Sequence, residues 1–150
     1  MKKFASILIV LTVFSIIMFY PRPLVQIIGE EPIIDSDAHL RVIHRNAIIE
    51  SGDVVEAYSQ KHAKDILDFL QSYKYQRTNV SYRKLDDMES YSVKIINNEN
   101  EVLRATIRGD RYLSIIDKNG NYSSYKVSRN EFDIEFLQDL YESLRVLSNK

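Results

Sequence analysis

Hydrophobic residues form one long stretch at the start of the chain and then recur in short segments separated by polar residues. Within positions 4–20 the only polar residues are Ser6, Thr12 and Ser15, and Pro21 ends the stretch. A helix of this length measures roughly 25 Å, just short of the hydrocarbon core of a bilayer. The pattern predicts a cleaved signal peptide or a short uncleaved membrane anchor, with a buried helix of a soluble protein as the remaining alternative.

The residues that flank this stretch favour the uncleaved anchor. Signal peptidase sites need small residues, and no such pair stands between the apolar stretch and Gly29. Lys2 and Lys3 precede the stretch and Arg22 follows it, so the positive-inside rule places the N-terminus in the cytoplasm. We therefore expect residues 1–23 to anchor the chain in the cell membrane through positions 4–20, with the C-terminal domain outside. If the leader is cleaved, the chain is secreted.

The rest of the chain divides into a tether and a domain. Residues 24–38 contain Gly29, Pro32 and several acidic residues, a composition typical of a tether. Residues 39–150 are long enough for one extracytoplasmic domain. Its first strand is predicted over 40–49, and an amphipathic helix is predicted after a possible N-cap at Ser59. The connection over 75–89 is polar and mixed, so no element is predicted there.

Alternating segments then predict a meander of four strands, beginning with a strand that places Tyr91, Val93 and Ile95 on one face. The other three strands are predicted over 102–108, 111–116 and 122–127, with turns at 97–100, 109–110 and 119–120. Ser128 and Glu131 have the spacing of a capping box that opens a C-terminal helix. The order of strand, helix, four-stranded antiparallel meander and helix predicts an α+β domain with its helices on one sheet face.

Two-residue turns at the last two hairpins would fix which side chains share a face. Pairing Arg108 with Arg111, and Ile116 with Ser123, makes the face away from the helices rich in cations and in large apolar residues. This mixture is typical of a surface that binds a protein or an anionic partner. The alternative is a solvated face on which the alkyl chains of Lys and Arg cover the apolar residues. The candidate partner-binding residues are Lys94, Arg104, Arg108, Arg111, Leu113, Ile115, Tyr122 and Lys126.

Composition excludes several function classes. The chain has 150 residues, 45% of them hydrophobic and 27% charged, which is ordinary for a folded protein. Its formal net charge of −1 lacks the basic excess of a nucleic-acid binder. There is no Cys, so thiol chemistry and lipid attachment through cysteine are excluded. No phosphate-binding loop, dinucleotide-binding fingerprint or zinc-protease motif occurs, and we expect no metal or cofactor.

Three functional hypotheses follow from these patterns. The first is a membrane-anchored interaction module that binds a protein or an anionic envelope polymer through the open sheet face. The second is an extracytoplasmic hydrolase, in which an acidic residue among Asp86, Asp87 and Glu89 works with His44 or His62. The third is a folded spacer without a site of its own.

Several segments give the chain a familiar overall plan: the Met1-Lys-Lys start, the helix DILDFLQSYKY, the strand YSVKII and the hairpin YLSIIDKNGNYSSYKV. In these features it resembles small membrane-anchored or secreted proteins of unknown function from low-GC Gram-positive bacteria. The resemblance extends over about residues 40 to 147. It implies a location in the cell envelope and supplies no catalytic residue.

Overall fold

The computed structural model describes residues 2–46, 52–80, 85, 87–117 and 119–148. Its helices are α1 (Lys2–Phe19), α2 (Leu24–Ile28), α3 (Gln60–Gln71) and α4 (Ile134–Ser148). Its strands are β1 (Arg22–Pro23), β2 (His39–Arg45), β3 (Asp53–Tyr58), β4 (Lys74–Arg77), β5 (Ser90–Asn97), β6 (Asn100–Arg108), β7 (Tyr112–Ile116) and β8 (Tyr122–Val127).

These strands form one antiparallel sheet in the order β1-β4-β8-β7-β6-β5-β2-β3. The α+β class is therefore confirmed, but the sheet is larger than predicted, since β1, β3 and β4 were not expected. The predicted first strand corresponds to β2, and positions 47–49 of that prediction lie outside the described residues. A two-residue strand such as β1 is specified by its pairing with β4, which no local pattern in the sequence reveals.

The core lies between the helices and one face of the sheet, here called the inner face. Alternation along β5 points Tyr91, Val93 and Ile95 inward, as predicted, and all three are buried. Apolar residues of α2, α3 and α4 complete the same cluster. The opposite side of the sheet is called the outer face.

Helix α3 begins where the sequence predicts. Ser59 is its N-cap, and the Ser59 side chain accepts a hydrogen bond from the backbone N–H of His62 at 3.4 Å. The predicted apolar residues of this helix, Ala63, Ile66, Leu67 and Leu70, are buried. Tyr73 lies just beyond the helix and is half-buried.

Helix α4 begins later than predicted, so the capping box at Ser128 and Glu131 was wrong. Asp133 Oδ1 accepts a hydrogen bond from the backbone N–H of Phe136 at 3.1 Å and satisfies the first turn instead. Glu131 accepts a hydrogen bond from Arg111 Nε at 3.1 Å. The apolar stripe of α4 is buried from Leu137 to Leu144 but is exposed at Leu147.

The segment 24–38 is part of the domain, which corrects its interpretation as a tether. Leu24 in α2, Ile34 and Ala38 are buried in the main core. Asn97 Nδ2 also donates a hydrogen bond to the backbone carbonyl of Ile33 at 2.6 Å. The Gly and Pro residues that suggested a tether instead shape a short helix and a loop, with Gly29 in the left-handed region at the end of α2.

Helix α1 precedes the domain and leaves its apolar side chains exposed wherever they are described. Exposure reaches 66% at Val10 and 61% at Phe14. Within the described part of the chain, no helix is found that combines the length and the apolarity needed to cross a membrane.

Two hairpins differ from the predicted register by one residue. Arg108 pairs with Tyr112, so the β6–β7 loop has three residues, with Gly109 at φ +52°. Ile116 pairs with Tyr122, and Gly120 has φ +81°. Three-residue loops with a left-handed Gly are the next common alternative to two-residue turns. A shift of one residue moves every side chain of β7 to the other face.

Candidate functional site

The register shift removes two residues from the predicted partner surface. Leu113 and Ile115 were expected on the outer face, but both point to the inner face and are buried in the core. Arg111 lies in the β6–β7 loop, where its guanidinium pairs with Glu131. These three residues therefore cannot form an outer-face surface together with the remaining candidates.

Lys94 and Arg104 lie on the outer face as predicted and share one carboxylate. They are direct partners across β5 and β6, and Glu101 forms ion pairs with Arg104 and with Lys94, the latter at 3.1 Å. Burial acts to raise the pKa of Glu101, but hydrogen bonds from Arg104 and Lys94 outweigh it and hold that pKa below its ordinary value. Two cations around one carboxylate leave a net positive charge at this place.

Arg108 also lies on the outer face, but it is only 6% exposed. Its Nη1 donates a hydrogen bond to Ser114 Oγ at 2.8 Å, and Ser114 Oγ lies 2.7 Å from the hydroxyl of Tyr122. A guanidinium used inside the protein is a poor contact for an outside partner. Arg108 is therefore a structural residue here, although the sequence predicted a binding role for it.

Tyr122 and Lys126 are two further candidates that the structure leaves accessible. Both lie on the outer face of β8, and both are exposed. Lys126 has no carboxylate partner among the described residues. Together with the pair at Glu101, these two residues are what remains of the predicted partner surface.

The structure also brings together two residues of the hydrolase hypothesis. His44 Nε2 lies 2.7 Å from Glu89 Oε1, although the two residues are 45 positions apart. The imidazole stacks on the ring of Tyr91 at a centroid distance of 4.5 Å, and Tyr141 of α4 contacts it edge-on at 5.3 Å. Two aromatic rings and one carboxylate thus fix the orientation of the imidazole.

The hydroxyl of Tyr91 donates a hydrogen bond of 3.3 Å to the same oxygen of Glu89. Burial of the phenol, and then the charge of Glu89, raise the pKa of Tyr91 above its ordinary value. Tyr91 therefore stays protonated at neutral pH and acts as a donor to the carboxylate.

A cavity of about 340 Å³ adjoins this carboxylate. Glu89 and Tyr91 line it together with Asp110 of the β6–β7 loop and Ile134 of α4. The sequence patterns pointed to Glu89 and His44 but did not indicate that Asp110 and Tyr91 belong to a site. Asp110 was interpreted as a turn residue and Tyr91 as a core residue. The two residues come together through strand pairing, which the spacing of residues along the sequence does not show.

The other members of the hydrolase hypothesis do not join this cluster. His62 Nδ1 lies 2.6 Å from the cap residue Ser59. Asp87 lies in an exposed turn. Asp86 lies outside the described residues.

Comparisons with known proteins assign no family to this site. No protein-family model, curated protein or solved structure matches the chain. Among the residues that the structure describes, no group of three or more His, Cys, Asp or Glu side chains could hold a metal ion.

Proposed function

We propose that this protein is a membrane-anchored interaction module whose domain lies outside the cytoplasm. The observation that carries the proposal is α1, whose described apolar side chains find no cover in the domain. Burying an exposed Leu, Ile or Phe side chain in an apolar medium is worth about 1.5–3 kcal/mol, so a helix of this kind favours lipid over water. With 18 residues, it measures roughly 27 Å.

A helix slightly shorter than the hydrocarbon core can be accommodated by local thinning of the bilayer. This adjustment supports a short anchor. Lys2 and Lys3 precede the apolar stretch and only Arg22 follows it closely, and this charge asymmetry supports an N-terminus in the cytoplasm.

The partner of the domain is proposed to be an anionic polymer of the cell envelope. Its contact surface is the accessible part of the outer face: Lys94, Arg104, Tyr122 and Lys126. The charge of this surface supports an anionic partner. Lys94, Arg104 and Lys126 are positively charged, and the carboxylate that pairs with two of them is Glu101. A protein partner is the alternative occupant of the same surface.

Binding of polyglycerol phosphate to the full chain in lipid nanodiscs tests this proposal. The double variant Arg104→Glu with Lys126→Glu should weaken binding by at least tenfold, and added salt should weaken wild-type binding as well. The matched control is Lys61→Glu with Lys64→Glu, which reverses two exposed charges on α3. The outer face would be removed from the proposal by either of two results. In the first, the Arg104 and Lys126 variant binds as tightly as the wild type; in the second, the control variant loses as much binding.

Hydrolysis is the second candidate function, and the His44–Glu89 contact of 2.7 Å beside a cavity favours it. Glu89 would act as the general base toward water, and Asp110 would be the second carboxylate of the cavity. Chromogenic ester and glycoside substrates test this candidate. Glu89→Gln should reduce turnover at least a hundredfold, while Asp87→Asn should not. Absence of turnover by the wild-type chain, or equal turnover by Glu89→Gln, would reject it.

A further inference from the structure

A second cavity lies where α1 meets the domain. It has a volume of about 380 Å³ and is open to solvent. Tyr20 and Pro21, which follow α1, form part of its wall, and residues 72–74 and 127–130 form the rest. Pairing of Pro23 in β1 with Lys74 holds the segment that follows α1 against β4. The cavity is therefore fixed at the membrane end of the domain, provided that α1 lies in lipid.

The lining of this cavity is cationic, although the chain as a whole has a formal net charge of −1. Lys74 and Arg129 both line it, and none of the described lining residues is acidic. Neither cation has a carboxylate partner among the described residues. Ser128 and Asn130 add polar side chains that can hydrogen-bond to an anion.

Position and charge select one occupant. A cavity next to the end of a membrane helix lies at the level of the lipid headgroups, where tyrosine rings such as Tyr20 are also favoured. Where the leaflet that faces the cavity contains anionic lipids, a Lys or Arg near the surface attracts them with about 1 kcal/mol each, the value known for anionic cytoplasmic leaflets. Phosphate oxygens accept charge-assisted hydrogen bonds from ammonium and guanidinium groups.

We propose that this cavity binds the phosphate headgroup of an anionic phospholipid, with Lys74 and Arg129 as its counter-charges. This inference rests on the proposed anchoring of α1 in the membrane. It goes beyond the proposed envelope-polymer surface, because that surface lies on the outer face of the sheet and this cavity lies at its membrane end.

Lipid retention measured by native mass spectrometry tests the headgroup site. The full chain is released from nanodiscs that contain phosphatidylglycerol, phosphatidylcholine or both. We expect retention of phosphatidylglycerol in preference to phosphatidylcholine. Lys74→Gln and Arg129→Gln should each weaken that retention about fivefold, which corresponds to the energy of one basic residue at the surface. Lys74→Arg should preserve it.

The control is Lys61→Gln with Lys64→Gln, since it removes two exposed cations outside the cavity. Equal retention of the two lipids, or equal losses in the control and the cavity variants, would overturn the headgroup site. Binding of glycerol phosphate in buffer as tightly as the lipid would also overturn it, because the cavity would then take a free phosphate. Failure of the wild-type chain to enter nanodiscs would overturn the anchor itself and is recognised before any lipid is counted.

Discussion

Arg108 donates a hydrogen bond to Ser114 Oγ at 2.8 Å on the outer face of the sheet. The pair joins adjacent strands, and both residues are buried. Ser114 Oγ also lies 2.7 Å from the hydroxyl of Tyr122. Three polar side chains thus form one connected group where the sequence predicted an open binding surface.

Replacing Ser114 by Ala should destabilise the protein, because a buried guanidinium then loses an acceptor. The expected loss in unfolding free energy is about 1–3 kcal/mol. Urea unfolding of the full chain in detergent micelles, followed by circular dichroism, measures it. Ser123→Ala is the matched control, because the side chain of Ser123 on β8 has no hydrogen-bond partner among the described residues. We expect the control to change stability by less than about 0.5 kcal/mol. Equal effects of the two variants would contradict a structural role for Arg108.

The same group shows why the outer face could not be predicted from the sequence. Gly109-Asp110 and Asn119-Gly120 both match two-residue turns, and both were interpreted as such. A two-residue turn forms instead at Asn98 and Glu99, which lie between the paired residues Asn97 and Asn100. Both turn residues have positive φ, as such a turn requires. Loop length at a hairpin depends on how the strands twist and pair, and an error of one residue exchanges the two faces of β7.

Local signals were reliable for α3 but not for the start of α4, where the capping box at Ser128 and Glu131 was wrong. Helix α3 and its N-cap at Ser59 follow from spacing and capping chemistry within one segment. Strand β4 was missed because only Tyr75 of its four residues is buried. The sequence offered His44 with Glu89 as one of several His–carboxylate combinations. It could not show which combination forms, because the contact depends on pairing between β2 and β5.

The glycine at the β6–β7 loop provides a second prediction. An alanine Cβ at Gly109 would lie 2.6 Å from Met88 Cε and would also occupy a left-handed conformation, at φ +52°. At Gly120 the conformation is left-handed as well, but no atom lies within 4 Å of such a Cβ. Gly120→Ala should cost about 1–2 kcal/mol of unfolding free energy. Gly109→Ala should cost only slightly more, because the contacting atom is the end of the flexible Met88 side chain.

A double-mutant cycle separates the two causes at Gly109. In a Met88→Ala background, Gly109→Ala should cost about as much as Gly120→Ala does in the wild type. The measurement is thermal unfolding of the four proteins of the cycle, and of Gly120→Ala, in the same detergent. If the cost of Gly109→Ala is independent of residue 88, the proposed clash with Met88 Cε is wrong.

The contact between His44 Nε2 and Glu89 Oε1 provides a third prediction. Both side chains are partly exposed, so their contribution to stability is modest. Glu89→Gln should reduce the free energy of unfolding by about 0.5–1 kcal/mol at neutral pH. Asp87→Asn removes a neighbouring exposed charge and should have little effect. A loss at Asp87→Asn equal to that at Glu89→Gln would show that general charge, and no specific contact, is responsible.

Alkaline pH provides a fourth prediction. Burial, and then the charge of Tyr73, raise the pKa of Tyr75 well above its ordinary value of 10.0. Above about pH 10 the unfolded chain loses this proton while the folded chain keeps it, so folded stability falls as pH rises. The slope from this group alone is about 1.4 kcal/mol per pH unit.

Tyr75→Phe should remove that part of the alkaline slope. The same variant also lacks the hydrogen bond from the Tyr75 hydroxyl to the carbonyl of Leu70, 2.6 Å long, so it should be about 1 kcal/mol less stable at pH 7. Tyr58→Phe is the control, because Tyr58 is 81% exposed. Unfolding in urea between pH 8 and about pH 11 measures both effects. An alkaline slope that is the same for Tyr75→Phe and the wild type would be inconsistent with a buried, protonated phenol.

The membrane-anchored arrangement is tested most directly by the accessibility of a single thiol in intact cells. The chain has no Cys, so Ser36→Cys introduces a single thiol at an exposed position of the domain. We predict that this protein sediments with the membrane fraction and reacts with a membrane-impermeant maleimide before the cells are opened. Labelling that occurs only after the cells are permeabilised would place the domain in the cytoplasm and contradict the account.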